Sequence, residues 1–392
     1  MGFVVKNKST VFVKEESTEG VYVAPAAADA IEVLSDGVGF EYSKEEIERN
    51  LLSSSIEISA SRVGLTSVSG TVPVEFKAGS VEGEYPREKV LLKSLLGGQR
   101  QITSTTTTKT GNTVSVLQIE DADISKFNKG DVIVVKKAGA YEARPISEVD
   151  TTTGSANITL GVDLSSAPGD NVVISKASTF YHSENAPTFS TTHYVGGKIK
   201  EEITGCRSVS ASLESWEGGT VSNLSYTVEG LDLVQSVETL PSLIEPNFSG
   251  DALPPVILNA CVWINGVKVK YNSLSLSFEN TKAEILSACS SSGKAGSRFT
   301  QFVVTGEIAP YMDDDNVDRF EAFNNNDDIS VFGYAYNPAT NAGEIEQVVA
   351  FYIPQAKITA MPNGDEDGIM TNNISFKSYK KDGGDSIFLS FI

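Results

Sequence analysis

The chain writes one pattern twice. Residues 203–226, ITGCRSVSASLESWEGGTVSNLSY, align without a gap on residues 353–376, IPQAKITAMPNGDEDGIMTNNISF. Ile203 falls on Ile353, Gly218 on Gly368, Asn223 on Asn373, Leu224 on Ile374, Ser225 on Ser375 and Tyr226 on Phe376, with Glu217 and Asp367 before the shared glycine. Each stretch reads as an alternating strand, an acidic glycine-containing turn and a second alternating strand ending in an aromatic, which is the pattern of a β-hairpin. A supersecondary unit present twice in 392 residues points to a duplicated domain. A chain of that length also exceeds the roughly 250–300 residues at which single cores stop growing.

Other segments repeat in the same order. In Ser55 to Ser61, Ile56, Ile58 and Ala60 oppose Glu57, Ser59 and Ser61, and in Thr71 to Lys77, Val72, Val74 and Phe76 oppose Thr71, Pro73, Glu75 and Lys77. Pro73 lacks an amide proton, so its strand is expected at an edge or a bulge. Val90, Leu91, Leu92, Leu95 and Leu96 form a helical stripe in Arg87–Leu96, closed by Gly97 and Gly98. Near position 300 come a strand, Phe299–Ile308, a polar loop, PYMDDD, and a short helix, Asn316–Phe323, with Val317, Phe320 and Phe323 on one side. Ser43–Asn50, with Glu46 three residues after Ser43, predicts one helical turn. Lys14–Ala30, small and polar, predicts an extended arm rather than a packed element.

The two helices are about 230 residues apart and the two hairpins 150, so about 80 residues should be inserted after the first helix. Residues 102–178 fit: strands at 131–135, 158–160 and 171–174 follow a Thr/Ser run and are enough for a small β-barrel. The expected organisation is an arm (1–30), a first unit (31–101 and 179–240), the insert, a Pro-rich linker (241–255) and a second unit (256–392). Abundant Ser, Thr, Gly, Val and Asn make the fold mainly β.

Charge separates these parts. The whole chain carries −20, while the insert, with seven basic and nine acidic residues, carries −2, leaving −18 for the duplicated units. Such acidity argues against gripping nucleic acid through its phosphates, which takes basic patches. Cys206, Cys261 and Cys289 suggest neither disulfides nor a zinc site. With no long apolar run and no cleavage signal, a soluble protein made in a cytoplasm, without membrane contact, is expected.

Catalytic patterns are missing, so no enzymatic activity and no cofactor or metal are expected. His182 and His193 stand in a Ser/Thr-rich stretch and read as solvated loop residues. Asp313, Asp314 and Asp315, and Asp365, Glu366 and Asp367, lack the spacing of a calcium loop and read as turn carboxylates. Trp216 is expected exposed in the acidic hairpin turn, and Trp263 in a core.

The segments GVYVAPAAADAIEVLSDG, SSSIEISASR, VPVEFKAGSVEGEYPREKVLLKSLLGG and VWINGVKVKYNSLSLSFEN together resemble the tail tube proteins of long-tailed bacteriophages, in the group with a duplicated tube domain. The resemblance implies β-sandwich tube domains with flanking helices, whose sheets join between subunits around a channel. It implies trimeric, pseudo-hexameric rings that stack into a tube in the virion tail, a tape measure protein in the lumen, and DNA passing without tight binding. On it, strand phase nominates Glu57, Ser59, Glu75, Asn223, Ser225, Ser275, Ser277, Glu279, Asn373 and Ser375 for the channel wall. Ring-to-ring contacts fall to Glu15, Tyr22 and Pro25 of the arm, to Gly79, Glu82 and Glu84 of one loop, and to Lys294 and Arg298 near its expected counterpart, Ser290–Ser297. The insert is expected to project outward. The competing expectation is a monomeric adhesin or carbohydrate-binding module that uses an exposed Trp216.

Overall fold

The computed structural model describes residues 5–49, 51, 60–152, 156–290, 292–339 and 343–392. The chain opens with β1 (Thr10–Glu15), β2 (Ala30–Ile31), β3 (Gly39–Ile47) and β4 (Arg62–Glu75), then helix α1 (Lys89–Leu96) and β5 (Gly97–Ile102). Six strands of the insert follow: β6 (Thr106–Thr107), β7 (Val116–Gln118), β8 (Val132–Lys137), β9 (Ala140–Asp150), β10 (Asn157–Leu160) and β11 (Val173–Ile174). The chain then resumes with β12 (Ala177–His182), β13 (Phe189–Val195), β14 (Ile199–Glu217), β15 (Asn223–Gly230) and β16 (Asp232–Val237). The second half holds β17 (Ala260–Ile264), β18 (Val267–Val269), β19 (Tyr271–Leu286), β20 (Lys294–Pro310), α2 (Asn316–Asn325), β21 (Ile329–Pro338), β22 (Ile345–Ala360), β23 (Asn363–Glu366), β24 (Ile369–Asn372), β25 (Ile374–Ser378) and β26 (Phe388–Phe391). The fold is mainly β, as the composition implied.

The two halves repeat one topology. β3, β4, β15 and the C-terminal part of β14 pair in that order, and so do β19, β20, β25 and the C-terminal part of β22. Behind each four-stranded sheet lies a second one. β1, β13, the N-terminal part of β14 and β16 form the first, and β17, β21, the N-terminal part of β22 and β26 form its equivalent. β14 and β22 thus run through both layers and fold them over a common core. Phe189 opposite Cys206 precedes a register shift at Thr191, and Ile329 opposite Ala356 precedes the same shift at Val331.

The hairpins align at both ends for a compensating reason. Ser212 pairs Ser225, thirteen residues on, whereas Ala360 pairs Ser375, fifteen on. The second hairpin has the longer tip, β23–β24, and turns through Asp367 and Gly368, both at positive φ, the backbone that an Asp-Gly type I′ turn requires. The first recovers its length within β14, which runs from Cys206 opposite Phe189 to Ser212 opposite Ser225, where β22 needs only Ala356 to Ala360.

α1 buries Leu91, Leu92, Leu95 and Leu96 and ends where Gly97, at φ +90°, lies so close to the Ser183 carbonyl that a Cβ would meet it at 2.0 Å. α2 does the reverse of the expected stripe. It buries Ala322 and Arg319, the latter paired with Asp313, and leaves Val317, Phe320 and Phe323 exposed.

Three further expectations change. Ser43–Asn50 does not start a helix: residues 43–47 belong to β3, whose ladder with β4 overrides the local capping pattern. β4 is an edge only locally: its ladder with β3 stops at Gly39 opposite Thr71, so Pro73 has a ladder partner in Ser225 of β15 only, and its carbonyl accepts from the Leu34 amide (2.9 Å). The arm is anchored at its start: Val11, Phe12 and Val13 of β1 are buried and Glu16 accepts bonds from the Ser190 hydroxyl and the Gly205 amide at 2.8 Å each, while none of residues 17–29 is fully buried.

The insert forms a six-stranded sheet in the order β6-β11-β8-β9-β10-β7, and the Lys109 amide bonds the Gln118 carbonyl (2.7 Å) across its two ends, curling it toward a barrel. It does not project freely. Its buried Ile133, Ile146 and Leu160 share a core with Phe332, Tyr334, Tyr352 and Phe388 on the back of the second copy's outer sheet.

Candidate functional site

Where the two copies meet, β14 pairs with β19: Ser210 opposite Glu279, Ala211 opposite Phe278, Ser212 opposite Ser277 and Leu213 opposite Leu276. This seam fuses the two four-stranded sheets into one wall, β3-β4-β15-β14-β19-β20-β25-β22. Alternation divides its faces. Val72, Leu224, Tyr226, Leu213, Leu276, Phe278, Ile308 and Phe376 are buried in the shared core. Their neighbours along each strand face the other way and are polar.

Eight of the ten wall candidates lie on that polar face. Asn223 is opposite Glu75, Ser275 and Ser375 flank Glu307, and Ser225, Ser277, Glu279 and Asn373 continue the phase. Glu57 and Ser59, with their 55–61 strand, lie largely outside the described residues. Glu214 and Glu307 join the same face, though neither was selected from the sequence. Glu307 is legible two residues after Thr305 in an alternating strand, and Glu214 lies opposite Asn223 in β14. Ser275, Ser277, Thr305, Glu307 and Ser375 line one hollow in this face. Its carboxylates are not all free of cations: Lys77 Nζ stands 3.9 Å from Glu75, and Lys377 shares the face.

Trp216 is not on the surface. A bulge between Leu213 and Trp216, with Ser215 at φ +59°, shifts the phase by one residue and turns the indole inward against Phe351 (5.5 Å) and Phe76 (6.1 Å). That removes the exposed ring on which the carbohydrate-binding alternative rested. Trp263, as expected, is buried, stacked on Phe332 at 5.3 Å.

Neither histidine is a solvated loop residue. His193, in β13, is buried with Nδ1 2.9 Å from Glu201 directly across the ladder. His182 ends β12, stacked 4.5 Å from Phe302, and burial pulls its pKa below the usual imidazole value. Among the described residues no three His, Cys, Asp or Glu side chains are grouped to hold a metal, and no helix is long and apolar enough to cross a membrane.

Several ring-contact candidates are engaged within the chain. Glu15 bonds Lys93 of α1 (2.7 Å), Tyr22 lies 2.8 Å from the Thr192 hydroxyl, and Lys294 donates to Glu284 (2.7 Å). Glu82 accepts from the Lys176 amide (2.9 Å), so the loop with Gly79 and Glu84 ties the body to the insert. Pro25 is half-buried; Glu84 is exposed, and Arg298 is exposed while paired with Glu19. Ser290–Ser297 is not the counterpart of that loop. It turns β19 into β20, the place of the β3–β4 connection, and the equivalent of Gly79–Glu84 is the segment before α2.

A family model described as phage tail tube protein matches residues 6–378, across both copies and the insert. No curated protein matches the chain.

Proposed function

The chain belongs to the phage tail tube protein family, a structural component of the virion tail, and on that premise we propose that three copies close into a ring of six equivalent units. Rings stack into the tube, the polar face of the wall lines the channel, and DNA passes through it after the tape measure protein has left. The units are those of 31–101 with 179–240 and of 256–392, β1 packing onto the first. The insert lies outside, since it covers the side of the second copy away from the polar face.

The observation that carries this reading is the fused wall, with Glu75, Glu214, Glu279 and Glu307 on one face. Carboxylates on a channel wall repel phosphate, so DNA is conducted rather than held. Axial electron micrographs of assembled protein should show six inner units and three outer densities; a protein that stays monomeric at high concentration sinks the reading. Glu279→Lys with Glu307→Lys should leave tubes intact and slow DNA release, with the delay shrinking as salt rises. Release that is as fast as the parent's at low salt would remove the wall from the channel.

A further inference from the structure

The chain makes one seam internally and leaves open the two edges of an equivalent one. The ladders fix the correspondence residue by residue. Tyr226 lies between Ala211 and Val72, and Phe376 lies between Ile358 and Gly306. Two residues before Val72, Gly70 faces Phe40; two before Gly306, Val304 faces Phe278. Phe40-Glu41 in β3 therefore holds the place of Phe278-Glu279 in β19, with the same two residue types. By the same ladders, Lys357-Ile358 in β22 holds the place of Ser210-Ala211 in β14. Among the described residues the outer edge of β3 and the edge of β22 beyond Ala356 have no ladder partner.

We infer that the free edge of β22 in one copy of the chain receives the free edge of β3 from a second copy, in the register of the internal seam, with Ile358 opposite Phe40 and Lys357 opposite Glu41. The identity of the partner rests on the tube reading above; the register rests on the ladders. An open edge is a template for a further strand. Where the seam sets Ser210 against Glu279, this junction sets Lys357, which also pairs with Asp328 of its own chain, against a carboxylate, a favourable cross-strand pair.

A second observation agrees. At the seam the Asn280 side chain donates to the Leu95 carbonyl (2.9 Å), so β19 lies against the last turn of α1. Tyr42 faces Val68 as Asn280 faces Phe302, which puts Tyr42 of the incoming copy against the last turn of α2. That is where Phe320 and Phe323 are left uncovered, 56% and 36% exposed, and Tyr42 is itself 37% exposed. Apolar surface stranded on two parts of one chain is thus covered by a single contact.

Cysteines test the register, because residues directly opposite in an antiparallel pair lie about 4.5–5.5 Å apart at Cα, within disulfide reach. Glu41→Cys with Lys357→Cys, in full-length protein carrying Cys289→Ser to remove the exposed native thiol, should under mild oxidation lose its single-chain band to two- and three-chain species. Ser43→Cys with Lys357→Cys, two residues out of register, should stay single. Tubes in the same sample without the 41–357 link, or with the 43–357 link instead, overturn the register and leave the tube reading standing. Monomers without tubes overturn both. Independently, Glu41→Lys should lower tube yield with circular dichroism unchanged; a yield equal to the parent's counts against the pairing.

Discussion

Glu88 is a carboxyl group placed where a carboxylate is penalised. It precedes α1, is 3% exposed, and sits near Lys77, Glu32, Asp251 and the Tyr226 ring. Burial pushes its pKa up to about 8; Lys77 opposes the shift and the two acids add to it. At neutral pH the native protein keeps this proton while the unfolded chain has shed it. Because the folded pKa is the higher one, the stabilisation is complete below the ordinary carboxyl value near 4.5 and is lost as pH rises toward 8. Glu88→Gln keeps the shape and removes the titration. Denaturant unfolding should therefore show parent and variant running level near about pH 4, with the variant more stable by roughly 2–4 kcal/mol near about pH 8. Parallel curves over that range would mean that the carboxyl is ionised in the fold.

At the scale of elements, the informative one is β14, which runs through both layers and carries the bulge at Ser215. Trp216 has no exposed surface and touches Phe76 from the first copy and Phe351 from the second, so it pins the two cores together. Trp216→Ala should cost about 3–5 kcal/mol and lower the melting temperature in one cooperative step. A loss below about 1 kcal/mol would show that the cores do not depend on this contact. The same element shows what a sequence exposes and what it hides. Asn223, Ser225, Ser275 and Ser277 were legible as one polar face because each strand alternates strictly. One extra residue at a bulge leaves no mark in the pattern, so Trp216 read as outward when it points in. β3 was unreadable for another reason: nearly all its residues are exposed, so it has no apolar period, and only its partner strand makes it a strand. The seam joining β14 to β19 lies between segments some sixty residues apart and left no local trace.

Taken whole, the molecule is layered: polar face, wall, first core, outer sheet, second core, insert. The insert is therefore part of what makes the second copy soluble. Ile102 already pairs with Ala177 at the foot of the insert, so residues 103–176 can be replaced by a short turn without breaking β5 or β12. What the deletion uncovers is the back of the outer sheet, where Trp263, Phe332, Tyr334, Tyr352 and Phe388 are at most 7% exposed. Burying each such ring contributes about 1.5–3 kcal/mol, and a contiguous apolar patch of this kind promotes association. The Arg100–Asp131 ion pair (2.6 Å) and the Lys129 pair with Asp385 (3.3 Å) also go, leaving Arg100 and Asp385 without those partners. The deletion variant should melt lower and self-associate irregularly, as light scattering would register. Adding Phe332→Thr and Tyr352→Thr to the deletion should restore dispersed protein, since both side chains lie on the uncovered face and threonine suits a solvated strand. A bare deletion that stays monodisperse with an unchanged melting temperature would mean that the insert is merely tethered to the outer sheet, and that the second core lies within the insert alone.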